Sequence, residues 1–139
     1  MSLRFVIAPL FVHVALTFVI ALGMFLHRRR ALVDKKVKFK DIALREQNWP
    51  VRATQFANAY LNQFELPVLF YVLTVLVLFT RQADLFFVLM SWVFVVLRIL
   101  HAYIHLTDNR VARRGMTFGA AAIVLMVMWI AFALRIYLL

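Results

Sequence analysis

The sequence predicts an all-α membrane protein built as a four-transmembrane-helix bundle, and three observations predict it. Hydrophobic residues make up 65% of the chain and the mean hydropathy is +0.89, far too apolar for a water-soluble domain of this size. Four apolar stretches, near residues 5–26, 53–80, 85–106 and 116–137, are each long enough to cross about 30 Å of hydrocarbon at about 1.5 Å per residue. The polar connections at 27–52 and 107–115 carry nine and three Lys or Arg residues, whereas the other side has only Arg4, Arg81 and Arg135 near helix ends.

That charge asymmetry sets an expected orientation, because basic loops stay in the cytoplasm. Both polar connections are expected there, both termini on the other side, and the chain is read as a multi-pass protein of a bacterial inner membrane. The first stretch is too long, and followed by too basic a flank, for a cleaved signal peptide, so a retained anchor is expected. The second and third stretches are separated only by Arg81, Gln82, Ala83 and Asp84, which makes them a tight antiparallel hairpin. In the first connection Lys35, Lys36, Lys38 and Lys40 alternate with Val37 and Phe39. They suit either a solvated topogenic loop or anionic headgroups. Trp49 and Pro50 punctuate the start of the second helix, Trp at the membrane interface and Pro at a helix-starting position.

The net charge of +10 accompanies no stacking platform or groove-reading motif, so nucleic acid is not an expected partner. Cysteine is absent, which excludes a disulfide framework and a protein thiol nucleophile. Thiol chemistry must arrive with a substrate. No glycine-rich phosphate loop, Ser-His-Asp arrangement or zinc-protease helix is visible.

Glu65 is the exception to the apolar pattern, lying well inside the second stretch, where an ionisable group is costly and reads by default as functional. Asn58 and Asn62 precede it by seven and three residues, on one helical stripe. Arg98, His101 and His105 form a second stripe in the third stretch, at a depth the long Arg side chain can match. A Glu65–Arg98 pair is therefore expected, serving either a ligand site or simply the locking of two helices. His101 and His105 with Glu65 could bind a metal, but two imidazoles without a close third ligand make a weak set, and no metal is expected. Pro67 lacks an N–H and should loosen the helix near Gln63. Arg110, Arg113 and Arg114 precede the fourth stretch, where forked guanidinium groups suit carboxylates, phosphates and thiolates.

These residues resemble the membrane-associated proteins in eicosanoid and glutathione metabolism, the MAPEG family. Asn58-Ala-Tyr-Leu-Asn62-Gln-Phe-Glu65 with Pro67 looks like the family's second-helix signature. Arg98-Ile-Leu-His101-Ala-Tyr-Ile-His105 resembles the third-helix signature, and Arg114-Gly-Met-Thr-Phe118-Gly119 the start of the fourth. The resemblance implies a homotrimer with intersubunit sites for glutathione as co-substrate, and lipids or lipophilic small molecules as partners. On that resemblance Arg113 and His105 are the catalytic candidates. Asn58, Asn62, Glu65, Arg98, His101, Arg110 and Arg114 are the substrate-binding candidates. Two departures stand out: Asn58 occupies the place of an Arg, and His105 that of a common Tyr. The implied activity is addition of the glutathione thiolate to lipophilic electrophiles, or reduction of lipid peroxides. The alternatives are a non-catalytic protein of the same fold that binds lipid or a partner membrane protein, and a small transporter or proton relay using Glu65 and the His pair.

Overall fold

The computed structural model describes residues 1–44 and 48–138, so residues 45–47 of the first polar connection lie outside the described part. Among the described residues five α-helices form: α1 (Leu3–Val33), α2 (Val51–Asn62), α3 (Leu66–Phe79), α4 (Leu85–Leu106) and α5 (Val111–Leu138), with a 3₁₀ turn at Phe39–Ile42. They provide four spans long and apolar enough to cross a membrane, α2 and α3 together making the second.

The second span is thus not one helix. Pro67 cannot donate to the carbonyl of Gln63, and its ring would collide with it. The chain therefore tightens into three-residue turns: Gln63 N–H donates to Tyr60 O (3.0 Å), Phe64 N–H to Leu61 O (3.0 Å) and Glu65 N–H to Asn62 O (3.4 Å). Glu65 consequently leaves the helical stripe it shares in sequence with Asn58 and Asn62, and becomes the residue that precedes α3.

α1 packs on α2 and α4, and α5 packs on α4 and α3. One buried cluster joins Val6 of α1, Phe70, Leu73 and Val77 of α3, Phe94 and Val95 of α4, and Ala121, Leu125 and Met128 of α5. A second, smaller one joins Ile20, Ala59 and Ala102, nearer the polar connections. Small residues let α2 and α4 approach closely there, as packing between helices in lipid demands. Gly23 does the same for α1 and α2: a Cβ at this position would collide with the ring of Phe56. That ring is stacked on His27 at 4.5 Å and capped by Arg52 at 5.0 Å.

Cross-links at the two ends fix the direction of the helices. At one end Arg52 donates to the carbonyl of Leu106 and Gln55 Nε2 to that of His105 (2.6 Å). The two polar connections therefore share that end. At the other, Arg135 Nη2 donates to Asp84 Oδ2 at 2.5 Å, tying the end of α5 to the short α3–α4 turn. Asp84 also caps α4, accepting from Phe87 N–H at 2.9 Å. Burial pushes its carboxyl upward, but the hydrogen bonds from Arg135 and Phe87 outweigh this and hold it below its ordinary value.

Candidate functional site

The break between α2 and α3 and the facing stretch of α4 gather most of the polar candidates. Asn62 ends α2, so its carbonyl has lost a helical partner. Arg98, fully buried in α4, reaches across and donates from Nη2 to that carbonyl (3.1 Å) and to Asn62 Oδ1 (2.5 Å). The other half of the same amide donates from Nδ2 to Glu65 Oε2 at 2.8 Å. The expected direct pair of Glu65 with Arg98 is therefore replaced by a relay, Arg98 to Asn62 to Glu65. The described ion pairs involve only Asp108 and Asp84. The cause is the Pro67 break, which turns Glu65 off the stripe and leaves the Asn62 carbonyl with only the long bond from Glu65 N–H, so that it also receives the guanidinium. Arg98 Nε and Nη1 are buried and meet no partner among the described residues.

In front of the relay lies a cavity of about 290 Å³ lined by Asn58, Leu61, Asn62, Glu65, His105 and Arg114. Asn58 and Glu65 are exposed, while His105 is buried and its Nδ1 has no partner among the described residues. Arg114 donates to Asn109 Oδ1 at 2.7 Å, which steadies it at the rim. The cavity thus offers one carboxylate, two amides, an imidazole and a guanidinium. That set suits a small zwitterionic anion, with forked donors for carboxylate or thiolate and Glu65 for an ammonium.

Three candidates stand apart. Arg113 is paired instead with Asp108 (3.3 Å), and Arg110 approaches the same carboxylate (3.6 Å). Both are exposed. His101 turns towards α5, its Nδ1 lying 3.0 Å from Arg114 O and 3.2 Å from Thr117 Oγ1. Among the described residues no group of three His, Cys, Asp or Glu side chains gathers to hold a metal.

Two features escape sequence reasoning. His13, fully buried in α1, lies 2.6 Å from the Tyr71 hydroxyl of α3 through Nδ1 and stacks on Phe94. A lone His inside an otherwise apolar first span was the available signal. Gln55 and Arg52, which clamp the end of α4, read in sequence only as the polar start of a helix.

Four apolar spans with polar connections gathered at one end define a multi-pass helical membrane protein. Its polar relay sits where one span is broken. The MAPEG family model matches residues 6–134, nearly the whole chain, and the chain belongs to that family, a membrane protein family of glutathione and eicosanoid metabolism. No match is found among curated proteins or among solved structures.

Proposed function

We propose that the protein binds glutathione in the cavity beside the α2–α3 break and presents its thiolate to lipophilic electrophiles or lipid peroxides delivered by the bilayer. The observation that carries this reading is the Arg98–Asn62–Glu65 relay backing a cavity that also holds His105 and Arg114. The use of glutathione by members of the MAPEG family supports it.

Glu65, held by Asn62, would take the ammonium of glutathione, and Asn58 and Asn62 its peptide groups. Arg114 is the better placed of the two neighbouring arginines to face the thiolate, since Arg113 is drawn to Asp108. Nearby positive charge lowers a thiol pKa from about 8.5, so the nucleophile forms near neutral pH. In addition, sulfur bonds to the electrophilic carbon and the displaced electron pair leaves with a group or takes a proton. In peroxide reduction, sulfur attacks the terminal oxygen, the O–O bond breaks, the alkoxide takes a proton and leaves as an alcohol, and the oxygen stays on sulfur as a sulfenic acid. A second glutathione thiolate then attacks that sulfur, closing the disulfide and releasing the oxygen as water. Holding both reactants side by side supplies much of the rate. Arg98 acts through Asn62 and is a positioning residue.

We further propose that the polar connections face the cytoplasm, that both termini lie across the membrane, and that the chain works as a homotrimer. Isothermal titration of glutathione into the detergent-solubilised protein, with its oligomeric mass, tests the reading. Saturable binding that Glu65→Gln and Arg114→Ala both weaken is expected, with turnover on lipophilic electrophiles. No binding at millimolar glutathione sinks it and leaves the non-catalytic alternative, which Asn58 and His105 favour by removing groups that relatives use.

A further inference from the structure

A second cavity, about 480 Å³ in volume, opens between the end of α1, the first polar connection and the start of α2. Its wall is apolar where Met24, Ile42, Leu44 and Leu61 line it, and polar where Arg28 and Trp49 do. The Arg28 guanidinium lies over the Trp49 ring at 4.9 Å, and among the described residues its Nε meets no acceptor. Arg28 sits five residues before the end of α1, about 8 Å from the helix end, at the level where Trp and Arg meet lipid headgroups.

The surface beside this cavity is built in the same sense. Lys35, Lys36, Lys38 and Lys40 are all exposed, and Phe39 among them is 78% exposed on the 3₁₀ turn. Between residues 28 and 44 seven Lys or Arg residues face only Asp34 and Asp41. An exposed aromatic side chain set among lysines matches a bilayer surface carrying negative charge, where each basic residue adds about 1 kcal/mol. A solvated topogenic loop needs the charge, but neither the bare Phe39 nor an apolar hollow edged by a guanidinium stacked on Trp49.

We propose that this hollow is a site for one anionic phospholipid of the leaflet on the polar-connection side, its phosphate on Arg28 and one acyl chain along Met24, Ile42, Leu44 and Leu61. The basic stretch around Phe39 rests on neighbouring anionic headgroups. The site does not depend on glutathione use, although Asn58 and Leu61 border both cavities.

Native mass spectrometry of the protein in neutral detergent, without glutathione, tests it. Phosphatidylglycerol and phosphatidylcholine of identical chains are offered in equal amounts. Phosphatidylglycerol is expected to be retained in about fivefold preference. Arg28→Gln should bring the two lipids to parity, Met24→Trp should lower retention of both by filling the hollow, and Arg81→Gln, at the far end, should change nothing. Equal retention by the unaltered protein overturns the proposal. So does a preference that survives both Arg28→Gln and Met24→Trp, or one that glycerol phosphate abolishes, since that would need no acyl chain. Should Arg28→Gln not fold, the Met24→Trp result decides alone.

Discussion

Asn62 holds the site together at the scale of single side chains, because one amide satisfies a buried cation with its oxygen and orients an exposed carboxylate with its nitrogen. Replacing it with Leu leaves the Arg98 guanidinium only the backbone carbonyl at this position, and losing a hydrogen bond to a buried charged group costs about 1.5–3 kcal/mol. A large fall in thermal unfolding temperature is therefore expected for Asn62→Leu. Only a slight one is expected for Glu65→Gln, whose side chain is exposed. Asn58 gives a second test: Asn58→Arg restores a guanidinium to the cavity wall, and glutathione should bind about tenfold more tightly by titration, the gain typical of one charge-assisted hydrogen bond. Part of this arrangement was legible beforehand. The spacing of Asn58, Asn62, Glu65 and of Arg98, His105 announced two polar faces. Which partner Arg98 takes was not, since it depends on the backbone path through the break. Nor could sequence choose between Arg113 and Arg114. They are neighbours on one helix, pointing about 100° apart, and the phase is set by Asn109, whose φ of 51° starts the turn before α5. The pairing of His13 with Tyr71 joins residues 58 apart in the chain, which no local pattern encodes.

For the elements, the four spans were readable from hydropathy alone, and Pro67 marked where the second would yield. Sequence suggested loosening; the structure shows a clean interruption, because the side chains of Gln63 and Arg98 offer hydrogen bonds to backbone carbonyls that a fully apolar segment would leave unmet. Gln63 Nε2, for instance, donates back to Ala59 O at 3.1 Å. The α1–α2 contact gives a prediction of its own. Phe56 is held between His27 and Arg52 and cannot easily swing away from a side chain at position 23. Gly23→Val should therefore destabilise by about 1–3 kcal/mol through overpacking, measured by chemical or thermal unfolding in detergent. Gly115 and Gly119 face open space, and alanine at either should leave stability unharmed, within about 0.5 kcal/mol.

At the level of the whole molecule, the end away from the polar connections is fastened by Asp84 and Arg135. The carboxyl of Asp84 titrates lower in the folded protein than its ordinary value, so its contribution is complete above the ordinary carboxylate range. It is lost as pH falls through the depressed value. The stability gap between the unaltered protein and Asp84→Asn should accordingly be constant above about pH 5 and close as pH drops below about 4. Unfolding temperature followed against pH checks this, and a gap that widens on acidification contradicts it.

The interruption at 63–65 also divides the bundle mechanically. α3 belongs to the large buried cluster with α4 and α5, whereas α2 joins the small one through Ala59, with Phe56 and Tyr60 packed against it. A rigid rod through the bilayer would carry any tilt at its upper end down to its foot; a rod cut in the middle does not. The upper half can yield to an incoming guest while the lower half stays clamped, so backbone amides of 51–62 should exchange with deuterium well before those of 66–79.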